Sequence, residues 1–183
     1  MISRRMVTFV ACAVTIAGGS SVIRAQQPQI PTLQVCNSTD VRGDGRVKID
    51  RRSDANHSGS FGVKLSLKCG PNESPYPEGT LDIYEIDMSD SILGGNLTAT
   101  TIEQITTTGK HTPIAFLSGR CTASGIKGCR FWMMITDNRS STTGTSGTPD
   151  IVSFLVFDHT GKRVAHGTGP VVSGFFTVKD TGN

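Results

Sequence analysis

Beyond its first residues the chain is a succession of short apolar runs separated by glycine, serine, asparagine and aspartate. Phe61, Val63, Leu65, Leu67 and Cys69 alternate strictly with Gly62, Lys64, Ser66 and Lys68. That period of two predicts a strand with one buried face. Leu81 to Ile86 follows the rule less regularly, set among Asp82, Glu85 and Asp87, and Thr98 to Thr108 is rich in β-branched residues around Ile102 and Ile105. Val47 to Arg51, Ile114 to Leu117, Phe131 to Ile135, Ile151 to Phe157, Val164 to Ala165 and Phe175 to Val178 complete the series. No stretch after the N-terminus has helical apolar spacing. The pattern predicts an all-β domain, a single antiparallel sandwich or barrel of about eight strands. Phe131–Ile135 and Ile151–Phe157 are apolar on both faces, which predicts central strands with Trp132 in or beside the core. Glycine turns at Thr122–Gly128 and Asp158–Lys162 predict hairpins. Asn138 to Pro149, polar and glycine-containing, predicts a long loop between fixed ends.

The N-terminus has a different character. Arg4 and Arg5 precede an apolar stretch from Met6 to Ile16, and small residues lead to Ala25. This is the form of a signal peptide over 1–25, too short to span a bilayer as a helix. Residues 26–44 then read as an N-terminal extension and 45–183 as the all-β domain. Removing the leader from the 183-residue chain leaves 158 residues, the size of one domain. The full chain has 18 basic and 15 acidic residues, and the leader takes three of the basic ones, leaving a formal balance of zero. A neutral chain lacks the field that gathers nucleic acid or anionic lipid, so neither is expected as a partner, and no membrane span is expected. The reading implies a secreted protein, periplasmic or extracellular.

Four cysteines remain in the exported chain: Cys36, Cys69, Cys121 and Cys129. In an oxidising compartment an even count reads as disulfides, with three possible connectivities. Sequence order favours Cys36–Cys69 and Cys121–Cys129, the second across the glycine hairpin. No close cysteine pair of the zinc-binding kind occurs.

Few segments suggest chemistry. Asp40 to Asp50 approaches a calcium loop, with Asp40, Asp44, Gly45 and Val47 in suitable places, but Arg42 and Arg51 occupy ligand positions. A glycine turn entering a strand is the better reading. The same segment spells Arg42-Gly43-Asp44, the tripeptide integrins read, although a bacterial-type leader argues against that partner. Asp137, Asn138 and Asp150 flank the long loop and form a candidate ligand or calcium loop; capping of strand ends is the alternative use of these residue types. His57, His111, His159 and His166 are scattered, no G-x-S-x-G elbow occurs, and Asp82, Glu85 and Asp87 fit a solvent face. No catalytic residue, metal site or cofactor is therefore assigned.

Arg130 to Asn138, Gly147 to Phe154 and Gly167 to Val171 together resemble a β-rich repeat of bacterial secreted proteins, found among the choice-of-anchor surface proteins. Phe61-Gly62-Val63-Lys64 and Glu78-Gly79-Thr80-Leu81 extend the resemblance over about residues 60–179. It implies a surface-associated β module without assigned activity. The expected function is a structural or binding role, with a cell-surface component or polysaccharide as partner. The alternatives are a secreted hydrolase acting on a glycan or ester, and a small-ligand-binding barrel.

Overall fold

A computed structural model describes residues 36, 39–49, 58–69, 77–109, 112–138 and 147–180, all within one compact unit, Leu33–Asn183. The expected signal peptide and most of the Asn138–Pro149 segment lie outside the described residues. Eight strands run β1 (Thr39–Ile49), β2 (Gly59–Cys69), β3 (Glu78–Met88), β4 (Gly95–Thr108), β5 (Ile114–Ala123), β6 (Ile126–Thr136), β7 (Ile151–Asp158) and β8 (Arg163–Asp180). Each pairs antiparallel with the next, and β8 returns to β1, so the sheet closes into a barrel rather than a sandwich. Closure removes the free edges that an open sheet would expose.

The period of two sorts the side chains. Val63, Leu65 and Leu67 point inward from β2, as do Phe131, Met133 and Ile135 from β6 and Val152, Phe154 and Val156 from β7. An eight-stranded barrel has an interior just wide enough for side chains to fill. Here the filling is large against small. The rings of Phe61 and Phe154 meet edge to face, their centroids 4.6 Å apart, and a Cβ on Gly167 would stand 2.8 Å from one and 2.9 Å from the other. Gly119 leaves similar room for Phe131, and Gly43 and Gly45 for Phe176. Phe61, Phe131 and Phe154 are fully buried.

Three sequence expectations change. β1 begins at Thr39, ahead of residue 45, and Arg42-Gly43-Asp44 lies within it, paired to β2 on one side and β8 on the other. The expected turn is a strand because Gly43 and Gly45 serve as small inward positions. Val164–Ala165 and Phe175–Val178 are two parts of the one long strand β8. Trp132 points away from the core and is 56% exposed. A closed barrel has no central strand with two covered faces, so only one side of the apolar run Phe131–Ile135 can enter the core.

The barrel is fastened where its ladders run out. β3 and β4 pair only near Asp82–Ile86 and Gly95–Thr98. Further along β4, Cys36 forms a parallel bridge with Ile105, and the Thr39 and Thr107 hydroxyls lie 3.2 Å apart. The Cys36–Cys69 disulfide ties this segment to the end of β2. Cys121–Cys129 joins directly paired residues of β5 and β6. Loop-closure entropy for separations of 33 and 8 residues corresponds to roughly 4 and roughly 2.5 kcal/mol. The β3–β4 connection folds back onto β8, where the Ile92 and Leu93 N–H groups both donate to the Val164 carbonyl at 2.9 Å.

Adjacent residues of β6 should therefore respond oppositely to truncation. Phe131→Ala should cost about 3 to 5 kcal/mol in denaturant unfolding. Trp132→Ala should cost about 1 kcal/mol, the worth of its edge-to-face contact with Phe157. Equal losses at the two positions would contradict the assignment of inner and outer faces.

Candidate functional site

The outer surface has two unlike sides. On β1–β3 it is a solvated charge network. Asp44 accepts the Tyr84 hydroxyl at 2.8 Å and lies 3.9 Å from Lys64, and Arg46 pairs with Glu85 at 2.5 Å. Burial, with the hydrogen bond to Asp44, raises the Tyr84 pKa and keeps the phenol protonated. Asp82 accepts the Thr98 hydroxyl at 2.7 Å. These acids, Asp82 and Glu85 among them, hold the sheet's polar face together.

On β5–β7 the middle of the outer face is largely apolar. Register places Phe116, Met134 and Ser153 in one row across the three strands, and Ser118, Trp132 and Leu155 in the next. Phe116 is 45% exposed, and Trp132 meets Phe157 edge to face at 5.1 Å. Small Ser118 and Ser153 between larger neighbours leave a shallow groove of about 260 Å³, with Gln104 on its rim. A groove of about 810 Å³ lies on the other side of Trp132, between the β5–β6 and β7–β8 hairpins. Arg120, Lys127, Arg130, Phe157 and His159 line it. Trp132 is thus a ridge between an apolar groove and a cationic one.

The acids near that second groove are already engaged. Glu103 lies 2.7 Å from Arg120 and 3.8 Å from Arg130. Asp158 accepts the Thr160 hydroxyl, the Thr160 N–H and the Lys162 N–H, closing the predicted hairpin with Gly161 at φ +84°. The Thr160 hydroxyl bond foremost holds the Asp158 carboxyl below its ordinary pKa. Its charge stabilises the turn.

Asp137, Asn138 and Asp150 do come together, where β8 outruns β7. β7 ends its pairing at Pro170 of β8, and the Phe176 and Val178 N–H groups face acceptors other than a strand. Asp150 takes the Phe176 N–H at 2.9 Å and, through its other oxygen, the Asn138 N–H at 2.9 Å. Asp137 takes the Val178 N–H at 3.0 Å. The Asn138 amide donates to the Pro149 carbonyl at 2.5 Å. Both carboxylates are buried and substitute for a missing stretch of ladder. The arrangement has the geometry of a backbone cap. Among the described residues no group of three or more His, Cys, Asp or Glu side chains could hold a metal ion.

His166 is 2.7 Å from Asp90, and its backbone N–H meets the Ser91 hydroxyl at 3.4 Å, fastening the β3–β4 connection to β8. His57 and His111 lie outside the described residues. The residue that sequence reasoning misplaced is Trp132, which lies on the outer face. Its signal was present in the doubled apolar character of β6, which required one face to be something other than core. No helix among the described residues is long and apolar enough to cross a membrane. The disulfides mark an oxidising environment. The chain matches no protein-family model, no curated protein and no solved structure.

Two measurements follow from these geometries. Asp150→Ala strands two backbone donors and should cost roughly 2 to 5 kcal/mol, while Asp150→Asn keeps one acceptor and should cost less. A calcium-dependent rise in melting temperature would instead assign the pair to a cation. Trp132 is the chain's one tryptophan, so its fluorescence reports this face alone. Anionic iodide should quench it more than cationic caesium, because Arg120 and Arg130 line the groove on one side of it. Equal quenching would show no local positive field.

Proposed function

We propose that the protein is an exported, non-enzymatic binding module that attaches to extracytoplasmic polysaccharide through the outer face of β5–β7. The observation that carries this reading is Trp132 standing 56% exposed on an ordered strand, with Phe116 and Leu155 nearby. Soluble monomers rarely expose contiguous apolar area unless it meets something. A rigid sheet loses little conformational entropy when it binds. The flat face of a sugar ring suits such a platform, since its C–H groups pack on an aromatic ring while its hydroxyls reach neighbours. Ser118 offers a hydroxyl beside the apolar groove, and Ser153 and Gln104, bonded to Thr168 and Thr106, keep further hydrogen-bonding capacity there. The packed interior argues against the carrier alternative, because Phe61, Phe131 and Phe154 occupy the space a ligand would need. The signal peptide, the disulfides and the resemblance to surface-associated β modules support an extracytoplasmic place of action.

The test is retention on insoluble polysaccharides and a blue shift of Trp132 emission with soluble ones. Trp132→Ala and Phe116→Ala should each weaken retention by about tenfold or more, as interface aromatics do, without moving the melting temperature by more than a few degrees. Undiminished retention by both variants would remove this face as the binding surface.

A further inference from the structure

The outer face differs from a plain aromatic platform in its next row. Register aligns Arg120, Arg130, Phe157 and Arg163 across β5, β6, β7 and β8, so three of four adjacent strands present a guanidinium on the same side. Strands lie about 4.8 Å apart, close to the rise per residue of an extended polysaccharide. This row borders the one that holds Trp132.

The charge there is unbalanced. Arg120, Lys127, Arg130 and Arg163 bring four cations, against Glu103 and Asp158. Glu103 is shared between two arginines, and Asp158 serves its own turn. Arg163 and Lys127 are exposed and make no ion pair among the described residues. The exported chain is neutral as a whole, so this concentration of positive charge is local to one end of the face.

On the reading that this face binds polysaccharide, we propose that its ligand is an acidic one, a chain bearing carboxylates on its sugar rings. A ring packs against Trp132, and its carboxylate meets Arg130 or a neighbouring arginine. Planar guanidinium groups match carboxylates with paired hydrogen bonds, which lysine cannot reproduce. Charge complementarity selects this occupant over a second copy of the chain. A symmetric dimer through the same face would place these arginines against like charge or against the apolar row, with no free carboxylate to meet them. Nucleic acid also joins rings to negative charge, but the disulfides mark a compartment where polysaccharide is the anionic polymer at hand.

The experiment titrates the purified exported protein with polygalacturonate and with its fully methyl-esterified form, reading Trp132 emission. Esterification removes the charge and keeps the rings. The acidic polymer should give a saturable blue shift at low salt that weakens as ionic strength rises. The ester should bind at least about tenfold more weakly, and Arg130→Gln should weaken the acid by about the same factor, the worth of one charge-assisted hydrogen bond. Arg163→Gln provides a second variant that disturbs no internal ion pair. Equal affinity for acid and ester would overturn the acidic ligand while leaving the polysaccharide module standing. Tighter binding of an oligothymidylate than of polygalacturonate would overturn it in favour of nucleic acid. A concentration-dependent dimer in sedimentation, lost in Trp132→Ala, would overturn it in favour of self-association. No response to either polymer would overturn it outright, and retention on other glycans lost with Trp132→Ala would still support the broader reading.

Discussion

The interior of an eight-stranded barrel either fills with side chains or holds one small ligand, and this protein fills it around three buried phenylalanines, Phe61, Phe131 and Phe154. The rings fit because glycine stands across from them: Gly167 faces Phe61 and Phe154, Gly119 faces Phe131, and Gly43 and Gly45 face Phe176. Each pairing fixes a register, since a shift by one residue would turn the glycine outward and drive a Cβ-bearing neighbour into a ring. Among the described residues, Phe61, Phe131 and Phe154 are fully buried and occupy the centre of the core.

A barrel of unequal strands needs closing at its seams, and three devices do so. The Cys36–Cys69 disulfide holds Cys36 beside Ile105 of β4, where β3 no longer pairs with that strand. The Asp137 and Asp150 carboxylates take N–H groups of β8 beyond the reach of β7. The β3–β4 connection lies against Val164, with buried Leu93 at its tip. Each supplies a missing partner by different chemistry: a covalent bond, a side-chain acceptor and a backbone ladder. An unsatisfied buried donor costs more than a made hydrogen bond gains, which explains two buried acids in an otherwise apolar region.

With the core filled by side chains, the contrast between the outer sides carries the functional reading. The β1–β3 side engages its charges with one another, as at Asp44, Tyr84 and Lys64. The β5–β8 side leaves Trp132 and Phe116 in water and gathers arginines beside them. Exposed aromatic area and unbalanced charge are each unfavourable in isolation. Both become useful when one ligand covers the rings and neutralises the cations.

Much of this was legible along the chain. Alternation marked the strands, glycine turns marked the hairpins at Thr122–Gly128 and Asp158–Lys162, and the cysteine order favoured the two disulfides that form. These features are local, and local spacing determines them. A period of two says that Phe131 and Trp132 face opposite ways, but not which of them faces in. It says nothing of whether Arg120, Arg130 and Arg163, far apart in sequence, share a row. Those outcomes depend on closure between β1 and β8, which selects the inner face and sets every register relative to the others. The sequence by itself determined most of the strands, and favoured the disulfide pairing with the oxidising setting it implies; tertiary structure alone decided that Trp132 is a surface ridge with arginines aligned beside it, because only a closed barrel makes inside and outside distinct.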